Sequence, residues 1–210
     1  MSAGQSILDV GGRKSPYTIG IPVSVTIMEK PKEDDIQMKL NLGLSDSTIV
    51  SVQKKRSNIK EIILADVIHS SLAGELYDGA LAIEVIEHVE EDELFVKKIA
   101  GLVKPGGWVL FTTPNGDYIK NEPPSFNPDH KRHYTKLQLK QLLDRHFSSV
   151  RVDYAVKTGR FRRMGIKSIT LSKPLRAIMS SISNIINRWE SHGVSNQATG
   201  TAHLIALARK

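Results

Sequence analysis

Short apolar runs bounded by turn residues recur along the chain, each about the length of a buried strand. They fall at Ser6–Val10, Val23–Met28, Glu61–Asp66, Ala80–Glu84 and Trp108–Thr113, with two more at Val150–Val156 and His203–Ala208. Between the fourth and fifth runs the period changes. Leu94, Phe95, Ile99, Leu102 and Val103 recur at helical steps and predict a helix that stops at Lys104-Pro105-Gly106-Gly107. A second helix is expected over Thr135–Phe147, capped by Thr135, with Leu137, Leu139, Leu142, Leu143 and Phe147 along its apolar stripe. A third, Leu175–Trp189, places Leu175, Ile178, Met179, Ile182, Ile185, Ile186 and Trp189 on one face. Strands alternating with helices predict an α/β domain with a mostly parallel sheet. The stretch Pro31–Lys60 reads as an insertion, with a short helix around Ile36–Leu40 and strand-like alternation at Thr48–Val52.

Composition narrows the picture. A chain of 210 residues suits one domain with a full core, and 40% apolar with 24% charged residues is ordinary globular usage. The absence of cysteine excludes disulfides, thiolate metal sites and cysteine nucleophiles. No apolar run approaches the roughly 20 residues that span a bilayer, and the start of the chain lacks the features of a secretory signal. A cytoplasmic protein without a membrane partner is expected. Charge adds more once it is placed along the chain. Of the net charge of +7, the eight basic residues between Ala155 and Trp189 (Lys157, Arg160, Arg162, Arg163, Lys167, Lys173, Arg176 and Arg188), with no acid among them, account for the whole excess. Such a segment suits nucleic acid, a phosphorylated substrate or an anionic membrane surface, or is simply a solvated basic face.

In an open α/β sheet, ligands bind beyond the carboxyl ends of the strands. Three segments would meet there. Asp9-Val10-Gly11-Gly12 runs from a strand into paired glycines, which let backbone approach a ligand. Glu29 closes the next strand twenty residues after Asp9, the spacing at which a carboxylate holds ribose hydroxyls, and Asp66 is a similar candidate for the adenine end. In Glu84-Val85-Ile86-Glu87-His88 two carboxylates and an imidazole stand at i, i+3 and i+4. Oxygen ligands with one imidazole suit Mg or Mn, and a fourth ligand would come from Asp129-His130-Lys131-Arg132-His133-Tyr134. The alternative for Glu84, Glu87 and His88 is local backbone hydrogen bonding and helix capping.

Assembled, these residues resemble the class I S-adenosylmethionine-dependent methyltransferases. The carriers are Leu8-Asp9-Val10-Gly11-Gly12, Glu29, Asp66, the stretch from Tyr77 to His88, and Leu102-Val103-Lys104-Pro105-Gly106-Gly107. The resemblance implies a Rossmann-like seven-stranded, mostly parallel sheet with helices on both faces and an antiparallel last strand pair. It implies a core at residues 1–157, a basic helical insertion at 158–200 and a final strand at 201–210. It also implies that Asp9, Gly11, Gly12 and Glu84 line the cofactor, with Gly11 at its methionine part, Glu29 at the ribose and Asp66 at the adenine amino group. Two departures stand out. Arg13, Lys14, Ser15 and Pro16 follow Gly11-Gly12 where the family has a further glycine and a helix, as in a subset with a Gly-Gly-Arg-x-Ser-Pro-Tyr loop. Only five residues precede the first strand, so a lid is expected from Pro31–Lys60, from Thr158–Thr201 or from a partner subunit.

Within the family, Glu-x-x-Glu-His with the later Thr112-Thr113-Pro114-Asn115 and Asp129-His130 is similar to metal-dependent small-RNA 2′-O-methyltransferases. That resemblance implies metal ligation by Glu84, Glu87, His88 and His130. A similar stretch occurs in ubiquinone-biosynthesis O-methyltransferases, which act on a catechol. Methyl transfer to a hydroxyl needs a base or a metal, which makes His133 the candidate base and His88 a second catalytic imidazole. Three readings stay open: a small-molecule O-methyltransferase, preferred; an RNA 2′-O-methyltransferase; and a scaffold with a degenerate cofactor site. The 158–200 insertion is expected to form a wall of the acceptor site or a homodimer contact, with the apolar face of Leu175–Trp189 as core or subunit contact rather than a membrane anchor.

Overall fold

The computed structural model describes residues 1–12, 17–30, 56–123, 126–166 and 174–210. The readings at Ile36–Leu40 and Thr48–Val52 lie outside them.

Seven strands form one sheet: β1 (Ser6–Val10), β2 (Ser24–Glu29), β3 (Ile59–Leu64), β4 (Tyr77–Ile83), β5 (Val103–Pro114), β6 (Ser149–Lys157) and β7 (Thr201–Arg209). Their order is β3-β2-β1-β4-β5-β7-β6. The first five run parallel, and β7 inserts antiparallel between β5 and β6. The strand order reverses between β1 and β4, so the crevice at a doubly wound sheet's switch point opens above their carboxyl ends.

Side-chain alternation divides the core into two clusters. Leu8, Val10, Ala80, Ala82, Val109, Phe111, Leu204 and Ala206 point to one face, and Ile7, Val25, Ile27 and Leu81 to the other. The first face is covered by α1 (Asp92–Leu102) and α2 (Lys136–Asp144), whose Phe95, Val96, Ile99, Leu139 and Leu143 are fully buried in the same cluster. Each such side chain contributes on the order of 2 kcal/mol by leaving water. Thr135 caps α2 as expected, in a reciprocal capping box with Gln138. The helix ends at Asp144, short of Phe147. The Lys104–Gly107 stretch does not lie beyond a helix in a loop. Chain direction changes at Val103, which already pairs with Tyr77, and a register irregularity with Gly106 at φ 75° carries β5 on to Trp108.

The 158–200 insertion holds α3 (Arg160–Ile166) and α4 (Pro174–Glu190). Here the apolar stripe does not pack on the core, which was one of the two uses expected for it. Leu175, Ile178, Met179, Ile182, Ile185 and Trp189 are exposed, while Ser180, Ser183 and Asn187 are buried. The inward face is polar because it is hydrogen-bonded: Ser180 Oγ donates to Gly165 O at 2.9 Å, and Asn187 Nδ2 to Lys157 O at 2.8 Å. No described helix is long and apolar enough to cross a membrane.

Candidate active site

The first half of the site is the turn after β1. Gly11 adopts φ 69°, a left-handed conformation that glycine takes without strain, and its N–H donates to Met28 O at 2.8 Å. That bond sets the turn beside Glu29 at the end of β2. Added Cβ atoms would lie 2.7 Å from Val85 Cγ2 at Gly11 and 2.3 Å from Asp9 Cγ at Gly12, so both positions need glycine. Below the turn, buried Asp9 forms an ion pair with Arg56 at 3.0 Å, with side chains only 1% and 3% exposed. Arg56 also donates to Gly12 O at 2.7 Å and to Thr18 Oγ1. Asp9 therefore braces the turn from beneath through a residue that sequence reasoning missed. Nothing in the spacing of Arg56 marks it. Asp66 follows β3, accepts from Ile68 N at 3.0 Å and pairs with Lys30 at 2.7 Å. Burial works to raise its carboxyl, but Lys30 and the Ile68 N–H outweigh it and hold the group below its usual range, as an anionic acceptor. A cradle open only to glycine, with Glu29 and Asp66 at the ends of the next two strands, fits an extended adenosyl cofactor.

The second half begins where β4 ends. Glu84 adopts φ 54°, rare for a residue with a side chain, and turns the chain into a single 3₁₀ turn at Ile86–His88. Thr112 holds that conformation: its hydroxyl accepts from Glu84 N at 3.1 Å and donates to Glu84 Oε1 at 2.7 Å. Glu84 Oε2 meets His203 Nδ1 at 3.1 Å, and Arg162 donates to His203 Nε2 at 2.9 Å. With Nε2 accepting, Nδ1 carries the proton and donates to Glu84. Burial tends to raise the Glu84 carboxyl, but its bonds to His203 and Thr112 keep it below the usual range.

Glu87, His88 and His130 converge, with one ligand atom from each within 4.8 Å of the others. Glu84, the fourth expected ligand, is not in this group because His203 and Thr112 engage its oxygens. The loop that carries His130 is tied down by Lys131 N, which donates to Glu87 O at 2.7 Å. Asp129 Oδ2 accepts a hydrogen bond from His88 Nδ1–H at 2.8 Å and so leaves Nε2 as the ligand atom. His130 Nδ1 lies 2.8 Å from His133 Nε2, and His133 Nδ1 lies 2.8 Å from Ile119 O. A carbonyl only accepts, so the proton order runs His130 to His133 to Ile119 and frees His130 Nε2. The same order occupies both nitrogens of His133, which was expected to be free as a general base.

The electrostatics suit a cation. Burial and then the neighbouring Glu84 push the Glu87 carboxyl up to about 8, and its buried Oε2 has no hydrogen-bond partner among the described residues. Burial, then His88 and His133, pull His130 down to about 4, so its imidazole is neutral near pH 7. An orphaned buried carboxylate oxygen beside two imidazole nitrogens fits a divalent ion of the Mg, Mn or Zn kind.

Comparison with known proteins agrees with this geometry. The methyltransferase-domain family matches residues 2–147, and the chain belongs to that family. It has the class I, Rossmann-like fold, and its cofactor is S-adenosylmethionine. Among curated proteins it is 34% identical over 116 residues to a ubiquinone biosynthesis O-methyltransferase of Burkholderia orbicola, covering 54% of this chain and 46% of that one. It is 32% identical over 71 residues to the Rickettsia felis protein of the same name, covering 34% and 29%. The matched region thus spans less than half of these relatives. Among solved structures, an S-adenosylmethionine-dependent methyltransferase of Archaeoglobus fulgidus superposes with a TM-score of 0.63 at 16% identity, covering 99% of this chain and 86% of that one. A Haemonchus contortus phosphoethanolamine N-methyltransferase 2 bound to S-adenosyl-L-methionine gives a TM-score of 0.60 at 15% identity, over 100% and 49%.

Proposed function

We propose that the protein methylates a hydroxyl group of a small molecule, with a divalent ion held by Glu87, His88 and His130 next to the acceptor. The observation that carries this reading is the convergence of those three side chains, with a buried Glu87 oxygen left unpartnered, at the carboxyl ends of the strands. The similarity to proteins named ubiquinone biosynthesis O-methyltransferases supports oxygen as the accepting atom. When bound, S-adenosylmethionine supplies an electrophilic methyl carbon, and the ion supplies Lewis acidity toward a hydroxyl that is a poor nucleophile at neutral pH.

The residues themselves position and tune. Gly11 and Gly12 let the chain pass close under the cofactor, Glu29 accepts from ribose hydroxyls, and Asp66, held anionic, accepts from the adenine amino group. Asp129 and His133 fix the ring orientations of His88 and His130. Alignment of the hydroxyl with the methyl carbon then supplies much of the rate. The test is S-adenosylhomocysteine release with catechol acceptors by chelator-treated enzyme, with and without added Mg or Mn. Glu87→Ala should abolish the metal-stimulated turnover and keep S-adenosylhomocysteine affinity. Turnover that ignores both metal and Glu87→Ala would sink the metal role, and failure to bind S-adenosylhomocysteine would favour a scaffold.

A further inference from the structure

α4 is amphipathic in the reverse sense to a helix that packs on a core. Its inward side, Ser180, Ser183 and Asn187, is buried, with Ser180 hydrogen-bonded to α3 and Asn187 to β6. The packing there is close: a Cβ on Gly165 of α3 would overlap Asn184 Oδ1. Its outward side is a continuous apolar stripe of Leu175, Ile178, Met179, Ile182, Ile185 and Trp189, with exposures from 51% at Ile182 to 77% at Leu175. Five large aliphatic side chains and a tryptophan left in water along one helix are costly, and a patch of this kind on a described surface marks a contact.

The charge around the stripe says what the contact is. Arg188 is exposed on α4 itself between Ile185 and Trp189, Arg160 and Arg163 are exposed on the adjoining α3, and no acid lies between Ala155 and Trp189. Two copies joined through this face would bring these arginines together, with Glu190 at the end of α4 the one acid that the helix offers to pair them. A surface that is apolar at depth and anionic at its rim answers both features. An interfacial helix has this form: low overall hydrophobicity, one strongly apolar face, a tryptophan at the end and arginines alongside. We infer that the α3–α4 insertion docks on an anionic lipid surface, with the stripe of α4 set among the acyl chains and the arginines at the headgroups. This departs from the expectation of no membrane partner, which rested on the absence of a spanning segment and on assigning this apolar face to core or subunit contact. Lying on a membrane requires no such segment. The inference goes beyond the proposed methylation and does not depend on which hydroxyl is methylated.

The test is flotation of the full chain with vesicles of phosphatidylcholine alone and of phosphatidylcholine with phosphatidylglycerol, read together with Trp189 emission. Binding to the anionic vesicles is expected, with a blue shift of emission, and should weaken with added salt and on pure phosphatidylcholine. Because Ile182 and Ile185 are 51% and 69% exposed and belong to neither core cluster, Ile182→Ser/Ile185→Ser should fold, as thermal unfolding can confirm. It should lose binding by roughly a hundredfold, the scale of two aliphatic side chains withheld from an apolar phase. Absence of binding to anionic vesicles would overturn the inference, as would binding that the double variant leaves unchanged. Sedimentation showing a concentration-dependent dimer that the double variant abolishes, without vesicle binding, would assign the stripe to a second copy instead.

Discussion

Removing the Arg56 guanidinium tests how the cofactor turn is held. Arg56 lies 47 residues from Asp9 in sequence, yet the two form a buried ion pair with 3% and 1% side-chain exposure. Two more of its hydrogens reach Gly12 O at 2.7 Å and Thr18 Oγ1. Arg56→Met keeps most of the volume and takes the charge away. Breaking a buried pair by deleting one partner costs about 3–5 kcal/mol, because the surviving charge keeps its desolvation penalty. Gly12 O and the Thr18 hydroxyl lose a donor as well, each worth roughly 1 kcal/mol. Set against a typical domain stability of about 5–15 kcal/mol, the variant should be severely destabilised. Asp9→Asn/Arg56→Met removes both charges and should recover a large part of the loss. Urea unfolding followed by circular dichroism reads both quantities. A cost below about 1 kcal/mol for Arg56→Met, or a double variant less stable than the single one, would refute the claim that this pair braces the turn.

Further outcomes follow from the same geometry. Gly12→Ala places a Cβ 2.3 Å from Asp9 Cγ, so it should displace the carboxylate, lower the thermal midpoint and weaken S-adenosylhomocysteine binding in calorimetry. Thr135→Ala removes the capping box of α2 and should cost about 0.5–2 kcal/mol in urea unfolding, with cofactor affinity unchanged. Lys30 and the Ile68 N–H hold the Asp66 carboxyl below its ordinary range, so its stabilising contribution is present above that range and is lost as pH falls through the lower folded-state pKa. Asp66→Asn should therefore flatten the acid limb of the stability–pH curve, and an unchanged limb would show that Asp66 does not carry it. His203→Ala takes away the donor to Glu84 Oε2 and the acceptor of Arg162, and should reduce kcat more than it reduces S-adenosylhomocysteine affinity.

Much of the scaffold is legible in order along the chain. The seven apolar runs all become strands, with ends displaced by a few residues, because pleat and turn chemistry are local properties of the backbone. Their extension reflects pairing: Val103 joins β5 through its register with Tyr77, and Thr201 joins β7 through its register with Lys157. The candidate site is legible in the same way. Asp9, Gly11, Glu29, Asp66, Glu84 and Glu87 stand at strand ends because a parallel sheet gathers the residues that close each strand at one edge.

The sequence by itself thus determines the α/β period, the glycine turn, the family and the identity of the carboxylates and imidazoles at the sheet's edge. Only the tertiary structure decides which of them meet. Arg56 finds Asp9, His203 engages Glu84, and the ring order from His130 to Ile119 occupies His133. These are partnerships between distant segments, and no spacing rule relates their members. The orientation of α4 is of the same kind. Its apolar period is plain in the sequence, but which side faces inward depends on the hydrogen bonds that Ser180 and Asn187 make to Gly165 and Lys157. Periodicity defines a stripe, and the groups waiting across the gap decide where it points.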